Sequence, residues 1–148
     1  MNPTNNNGGA YIKPVFATNK NAIVAGSGTD ASEVTSSSID RLFYDSAQIV
    51  TGFTTTLAAG KKATLTIKIQ DSDDNSTFGT AATIFTGDVA TSVAGGTVKD
   101  VSVLNIDMAK YKRYVKLLTT FDLSNTATDT AEYVTTINLT GARIVPVP

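Results

Sequence analysis

Ala63-Thr64-Leu65-Thr66-Ile67-Lys68-Ile69-Gln70 alternates without a break and runs directly into the polar turn Asp71-Ser72-Asp73-Asp74-Asn75-Ser76-Thr77-Phe78. A period of two is the mark of a β-strand with one packed face, since successive side chains leave a pleated strand on opposite sides. Leu65, Ile67 and Ile69 form the buried set, and Thr64, Thr66, Lys68 and Gln70 the set facing water or a partner.

The rest of the chain has the same character. Ala47 to Leu57 reads as a long strand with Gly52 as a candidate bulge, joined to the opening strand as a hairpin through Ala58-Ala59-Gly60-Lys61-Lys62. Ile39 to Tyr44, Ala81 to Phe85, Thr97 to Ile106, Arg113 to Phe121 and Glu132 to Ile144 complete the set, punctuated by Gly87, Gly95-Gly96, Ser124-Asn125 and Asp129. About one residue in six is threonine, which favours strands, and no stretch has a convincing amphipathic helical period. Many short strands with turn signals between them predict an all-β fold: a single antiparallel β-sandwich or jelly-roll-like domain over residues 31–148. Val101, Val103, Val115, Leu117, Val134 and Ile137 are expected in its core beside Leu65, Ile67 and Ile69.

Residues 1–30 are expected to form an extended N-terminal arm. Met1 to Gly9 is rich in Asn and closes on Gly8-Gly9, too polar to bury a surface of its own. The segment that follows carries Tyr11, Ile12, Val15 and Phe16, an apolar cluster able to fill pockets on a partner, and Pro14 limits it to an edge strand or extended chain. Gly26-Ser27-Gly28-Thr29-Asp30 separates it from the domain, and Val145-Pro146-Val147-Pro148 reads as an extended tail.

Composition narrows the function. Twelve basic and 13 acidic side chains give a net charge of -1, so bulk charge selects neither nucleic acid nor an anionic membrane. No apolar run reaches the length of a membrane span, and Met1-Asn2-Pro3-Thr4 does not open a signal peptide, so a soluble chain made in the cytoplasm is expected. The absence of Cys and His removes disulfides, thiolate sites, cysteine nucleophiles and the commonest general base and zinc ligand.

Asp71, Asp73 and Asn75 match the first ligand positions of an EF-hand loop, but Ser76 replaces its glycine and Ala82 its bidentate glutamate. The preferred reading is a turn whose Asp and Asn side chains cap backbone amides. Lys110-Tyr111-Lys112-Arg113-Tyr114-Val115-Lys116 mixes cations and rings as single-strand binders do. Alternation explains it more simply, with Lys112, Tyr114 and Lys116 on a solvated or partner-facing side of a strand. Most acids flank strands in turns, so no pair of carboxylates is assigned to a catalytic cleft. No enzyme, metal or cofactor is expected.

Taken in order, Ile39-Asp40-Arg41, Asp45-Ser46-Ala47, Ile67 through Phe78, Lys112-Arg113-Tyr114-Val115-Lys116, Phe121-Asp122-Leu123-Ser124, Thr128-Asp129-Thr130-Ala131 and Leu139-Thr140-Gly141-Ala142 resemble a family of small tailed-bacteriophage virion proteins. Several of that family look like capsid decoration, or cement, proteins. The resemblance spans about residues 39 to 145. Asn75 stands where glycine is frequent, Phe78 where tryptophan is frequent, and the arm before Ile39 is long. The resemblance implies a structural protein on the outer capsid surface, made in the host cytoplasm, a homotrimer without cofactor, bound to the major capsid protein and not to nucleic acid or membrane. Tyr11, Ile12, Val15, Phe16, Lys112, Tyr114 and Lys116 are the expected partner-binding residues. The alternatives are a tail or baseplate component and a carbohydrate-binding sandwich, against which the absence of tryptophan weighs.

Overall fold

A computed structural model of the chain describes residues 11–143; the Asn-rich start and the Val-Pro tail lie outside the described residues. Among the described residues, ten strands make two five-stranded antiparallel sheets. They are β1 Lys13–Phe16, β2 Asn21–Ile23, β3 Glu33–Thr35, β4 Ile39–Asp40, β5 Tyr44–Leu57, β6 Lys61–Ser72, β7 Ala82–Ser92, β8 Gly96–Asp107, β9 Tyr114–Leu123 and β10 Thr130–Ala142. The first sheet has the order β1-β10-β5-β8, with β2 also on β10; the second has β3-β9-β6-β7, with β4 also on β9. With β1 and β2 counted as one broken strand, and β3 and β4 as another, the chain is a long antiparallel hairpin rolled over on itself. That is the strand order of a jelly roll.

The inner faces follow from alternation. Leu65, Ile67 and Ile69 of β6 are at most 2% exposed and face the other sheet, as do Val115, Leu117, Phe121 and Leu123 of β9. Opposite them stand Ile49, Phe53 and Leu57 of β5 and Tyr133, Ile137 and Leu139 of β10. The Phe121 ring stacks on Tyr133 at 5.1 Å and tilts against Phe53 at 5.5 Å, pinning the two sheets together. Most of the threonine in this core is hydrogen-bonded: the Thr51 and Thr135 hydroxyls meet at 2.9 Å, and Thr55 Oγ1 donates to the Thr130 carbonyl at 2.9 Å, whereas the buried Thr119 hydroxyl has no partner among the described residues.

The structure corrects four expectations. First, the sandwich begins well before residue 31. β1 and β2 are hydrogen-bonded to β10, and the Ala17 and Thr18 N–H groups both donate to the Thr135 carbonyl. Thr18 Oγ1 accepts the Thr135 N–H, and Ala17 and Thr18 are buried, so this part of the arm is the edge of its own domain. Pro14 is accommodated because, among the described residues, β1 pairs on one side only.

Second, β5 and β6 are not a hairpin. β5 already lies between β10 and β8, and β6 between β9 and β7, so the connection crosses from one sheet to the other. Buried Asp129 holds the crossing by accepting the Ala58 N–H at 2.8 Å.

Third, β5 passes Gly52 in continuous register with both neighbours; the irregularities fall instead in the β6–β7 pairing. Fourth, Val101 and Val103 are 56% and 53% exposed and Val134 is half-buried, all on the outer face, whereas the other expected core residues are inside.

Candidate interaction surface

The two outer faces of the sandwich differ in kind. On the first sheet, Phe16, Thr136, Val50 and Val103 lie side by side on β1, β10, β5 and β8, and Val134, Gly52 and Val101 form the next row. Phe16 is 70% exposed. Gly52 matters by what it omits: a Cβ built there would meet nothing within 4 Å. It floors an open groove of about 820 Å³, with Phe16, Val101 and Val134 among its walls. Polar groups ring this apolar centre. The Lys20–Glu132 ion pair, at 2.9 Å, and Lys99 lie at one end. At the other, Gln48 donates to Asn105 at 3.2 Å beside Asn138 and Ile12, around a second depression of about 530 Å³. An apolar patch with a polar rim is the usual form of a binding surface.

The second sheet's outer face is laced by polar side-chain pairs. Asp88 takes hydrogen bonds from Lys62 Nζ and Thr64 Oγ1, each at 2.8 Å. Thr66 and Thr86 pair at 3.2 Å, and Lys68 meets Glu33 at 2.8 Å. Lys62 is the main cause that holds the Asp88 carboxyl below the usual carboxylate range, with Thr64 adding to it.

At one end of that sheet, the turn after β6 is self-capped as its sequence suggests. Asp74 Oδ1 accepts the N–H groups of Thr77 and Ser76 at 2.8 and 2.9 Å, and these bonds push its carboxyl far below the usual range. Asp71 accepts the Lys112 N–H at 3.0 Å and Asp73 pairs with Lys112 Nζ at 2.7 Å. Asp71 and Asp73 thus tie the loop after β6 to Lys112; among the described residues no group of three His, Cys, Asp or Glu side chains is placed to hold a metal ion.

The expected partner-binding residues divide between the two faces. Phe16 and Ile12, the latter 46% exposed, belong to the first sheet's outer face. Val15 points the other way and packs against the core, because alternation separates it from Phe16, and Tyr11 is half-buried at the start of the described chain. Tyr114 and Lys116 lie on the opposite outer face, Tyr114 under the Arg113 guanidinium at 4.8 Å and Lys116 Nζ 4.1 Å from the Phe78 ring centre. Arg113 is in turn forked onto Asp40 at 2.7–3.1 Å. Lys112 stands just before β9 in its pair with Asp73. Sequence reasoning missed Val50, Gly52, Val101, Val103 and Val134 as surface residues. The available signal was the presence of apolar residues at both parities of β8, Val98, Leu104 and Ile106 against Val101 and Val103.

No family model matches the chain. No curated protein matches it either. Among solved structures it is similar to infectious bursal disease virus, Gx strain, at a TM-score of 0.49 and 12% identity over 91% of this chain and 33% of that one. It is also similar to the PBSX exported protein XepA, at 0.42 and 20% identity over 92% and 40%. A third likeness is to the CBM22-1–GH10 modules of Clostridium thermocellum xylanase 10B complexed with xylohexaose, at 0.47 and 16% identity over 94% and 28%. The chain spans about a third of the length of these proteins.

Proposed function

We propose that the chain is a virion structural protein that decorates the outside of a tailed-phage head, binding the major capsid protein and bridging its copies without catalysis. The observation that carries this reading is the exposed apolar face of the first sheet, set against an opposite face where several polar side chains pair with one another. The ordered resemblance from Ile39 to Ala142 supports the same reading and supplies the partner. The protein would be made in the host cytoplasm and reside on the outer capsid surface. Its mechanism is mass action: a ligand that binds the assembled lattice and not its dissociated parts stabilises the lattice, and contact with several subunits at once multiplies the effect.

Heads assembled without the protein should form but rupture at lower temperature than decorated ones; identical rupture curves would overturn the reading. The variant Gly52→Thr locates the contact. Its Cβ has open space and Thr suits a strand, so the fold should melt unchanged or slightly higher. With the groove floor filled, affinity for the shell should fall at least tenfold. Unchanged binding would move the contact to the face of Lys112, Tyr114 and Lys116.

A further inference from the structure

One edge of the first sheet is unfinished. β8 pairs with β5 along one side, and among the described residues no strand pairs with its other side. It is twelve residues long, contains no proline, and has no buried residue along its whole length. Its inward-facing Val98, Leu104 and Ile106 pack on the core yet remain half covered. Proteins blunt such an edge or use it, because a row of open N–H and C=O groups is a template for another strand.

Of the three charged residues on β8, Asp100 has the inner parity, and the other two identify the strand it fits. Lys99 and Asp107 share the outer parity, one near each end. Lys99 makes no ion pair among the described residues, and Asp107 Oδ1 accepts the Ala109 N–H at 2.9 Å. An antiparallel copy of the same strand, related by a two-fold axis through Val103, sets Lys99 opposite Asp107 of the second copy and the reverse. It also sets Val101 opposite Asn105, and Val103 opposite itself. The adjacent registers that keep the faces matched lose this complementarity: one sets Lys99 against Asn105, the other Val101 against Asp107.

We propose that β8 is a homodimer edge, at which two copies join by antiparallel β8–β8 pairing centred on Val103. The joint is isologous and makes one continuous sheet whose outer face carries Val50, Val101 and Val103 of both copies at its middle. It is a two-fold joint, in place of the three-fold one that the resemblance implies. Dimerisation can be read without any shell, so its failure and the failure of the decoration reading are separate results.

The absence of cysteine makes the test direct. Residues opposite each other across an antiparallel pair have Cα atoms about 4.5–5.5 Å apart, within disulfide reach. Val103→Cys in the full chain should give a covalent dimer rapidly under mild oxidation, whereas Val134→Cys, two strands away on the same face, should not. Sedimentation of the unmodified chain should give a two-copy mass. Lys99→Asp should weaken association about tenfold, the order expected when two exposed ion pairs become repulsions, and Lys99→Asp with Asp107→Lys should restore it. A single-copy or three-copy mass throughout a concentration series would overturn the proposal. So would cross-linking of Val134→Cys as fast as Val103→Cys, which would indicate two faces stacked rather than two edges joined.

Discussion

The two outer faces belong to sheets of the same size, folded from one chain around one core, and yet only one of them is finished. On the second sheet several long polar side chains satisfy one another: Lys62 and Thr64 share Asp88, Thr66 meets Thr86, and Lys68 meets Glu33. On the first sheet the equivalent positions carry Val50, Val101, Val103, Val134 and Phe16, which can be satisfied only by something that displaces water. A closed polar face gains little from a partner, because any contact must first break bonds already made. An apolar face gains about 25 cal/mol per Å² covered, against the cost of ordering the two partners.

Truncating aromatics gives the largest test of this contrast. Phe121→Ala removes a fully buried ring that touches both Tyr133 and Phe53, and should cost about 3–5 kcal/mol of folding stability in a denaturant melt. Phe16→Ala, at 70% exposure, should cost less than about 0.5 kcal/mol. A comparable loss for Phe16 would mean that the outer apolar face is already covered within the single chain.

Acid should separate the faces next. Asp40, Asp45, Asp74 and Asp88 are all held below their ordinary value of 3.8, by hydrogen bonds from Arg113, Arg143, the Thr77 and Ser76 N–H groups, and Lys62 respectively. A carboxyl depressed by folding contributes stability that is complete above its unfolded value and lost as pH falls through its folded one. The chain contains no histidine, so its melting temperature should stay level from about pH 8 to about pH 5 and decline below about pH 4. Asp40, Asp74 and Asp88 belong to the second sheet or its turn, so loosening should begin on that side. A fall between neutrality and pH 5 would contradict the assignment.

The smallest effect concerns single polar pairs. Lys68→Ala should change stability by less than about 1 kcal/mol, since the Lys68–Glu33 pair is solvated at both ends, and salt should shrink that difference further. A larger, salt-insensitive loss would show the closed face to be more cooperative than its separate pairs suggest.

How far the sequence carried the fold can be seen strand by strand. β6 was legible because its apolar residues occupy a single parity, so fold class and inner face came together. β8 was not, because both parities are apolar, and only the structure shows that the larger Leu104 and Ile106 turn inward while Val101 and Val103 turn out. The five residues from Ala58 to Lys62 have the composition of a hairpin turn. They cross the sandwich because β5 and β6 each already have two strand partners in different sheets, and the bond that holds the crossing comes from Asp129, 71 positions away, which no local pattern reveals. Pro14 left an edge strand and an extended arm equally open, because the partner that makes it an edge strand, β10, lies more than a hundred residues on. The candidate surface was half legible for the same reason. Phe16 and Ile12 stand out as apolar residues in a polar region, whereas Val50, Val101 and Val134 become neighbours only when β5, β8 and β10 lie side by side.

The pairing of β1 with β10, Val15 against Ile137, also governs how this molecule comes into being. The first described strand is held by the last, and the jelly roll closes only when both are present. A ribosome adds about 5–20 residues each second, so the early strands wait seconds for the partner that completes their sheet. Contacts this distant in sequence slow folding, because the chain loses its freedom before the closing pairs repay it. Synthesis would therefore pass through a period in which the first sheet lacks its central partner strand β10, a state exposed to chaperones, proteases and other nascent chains.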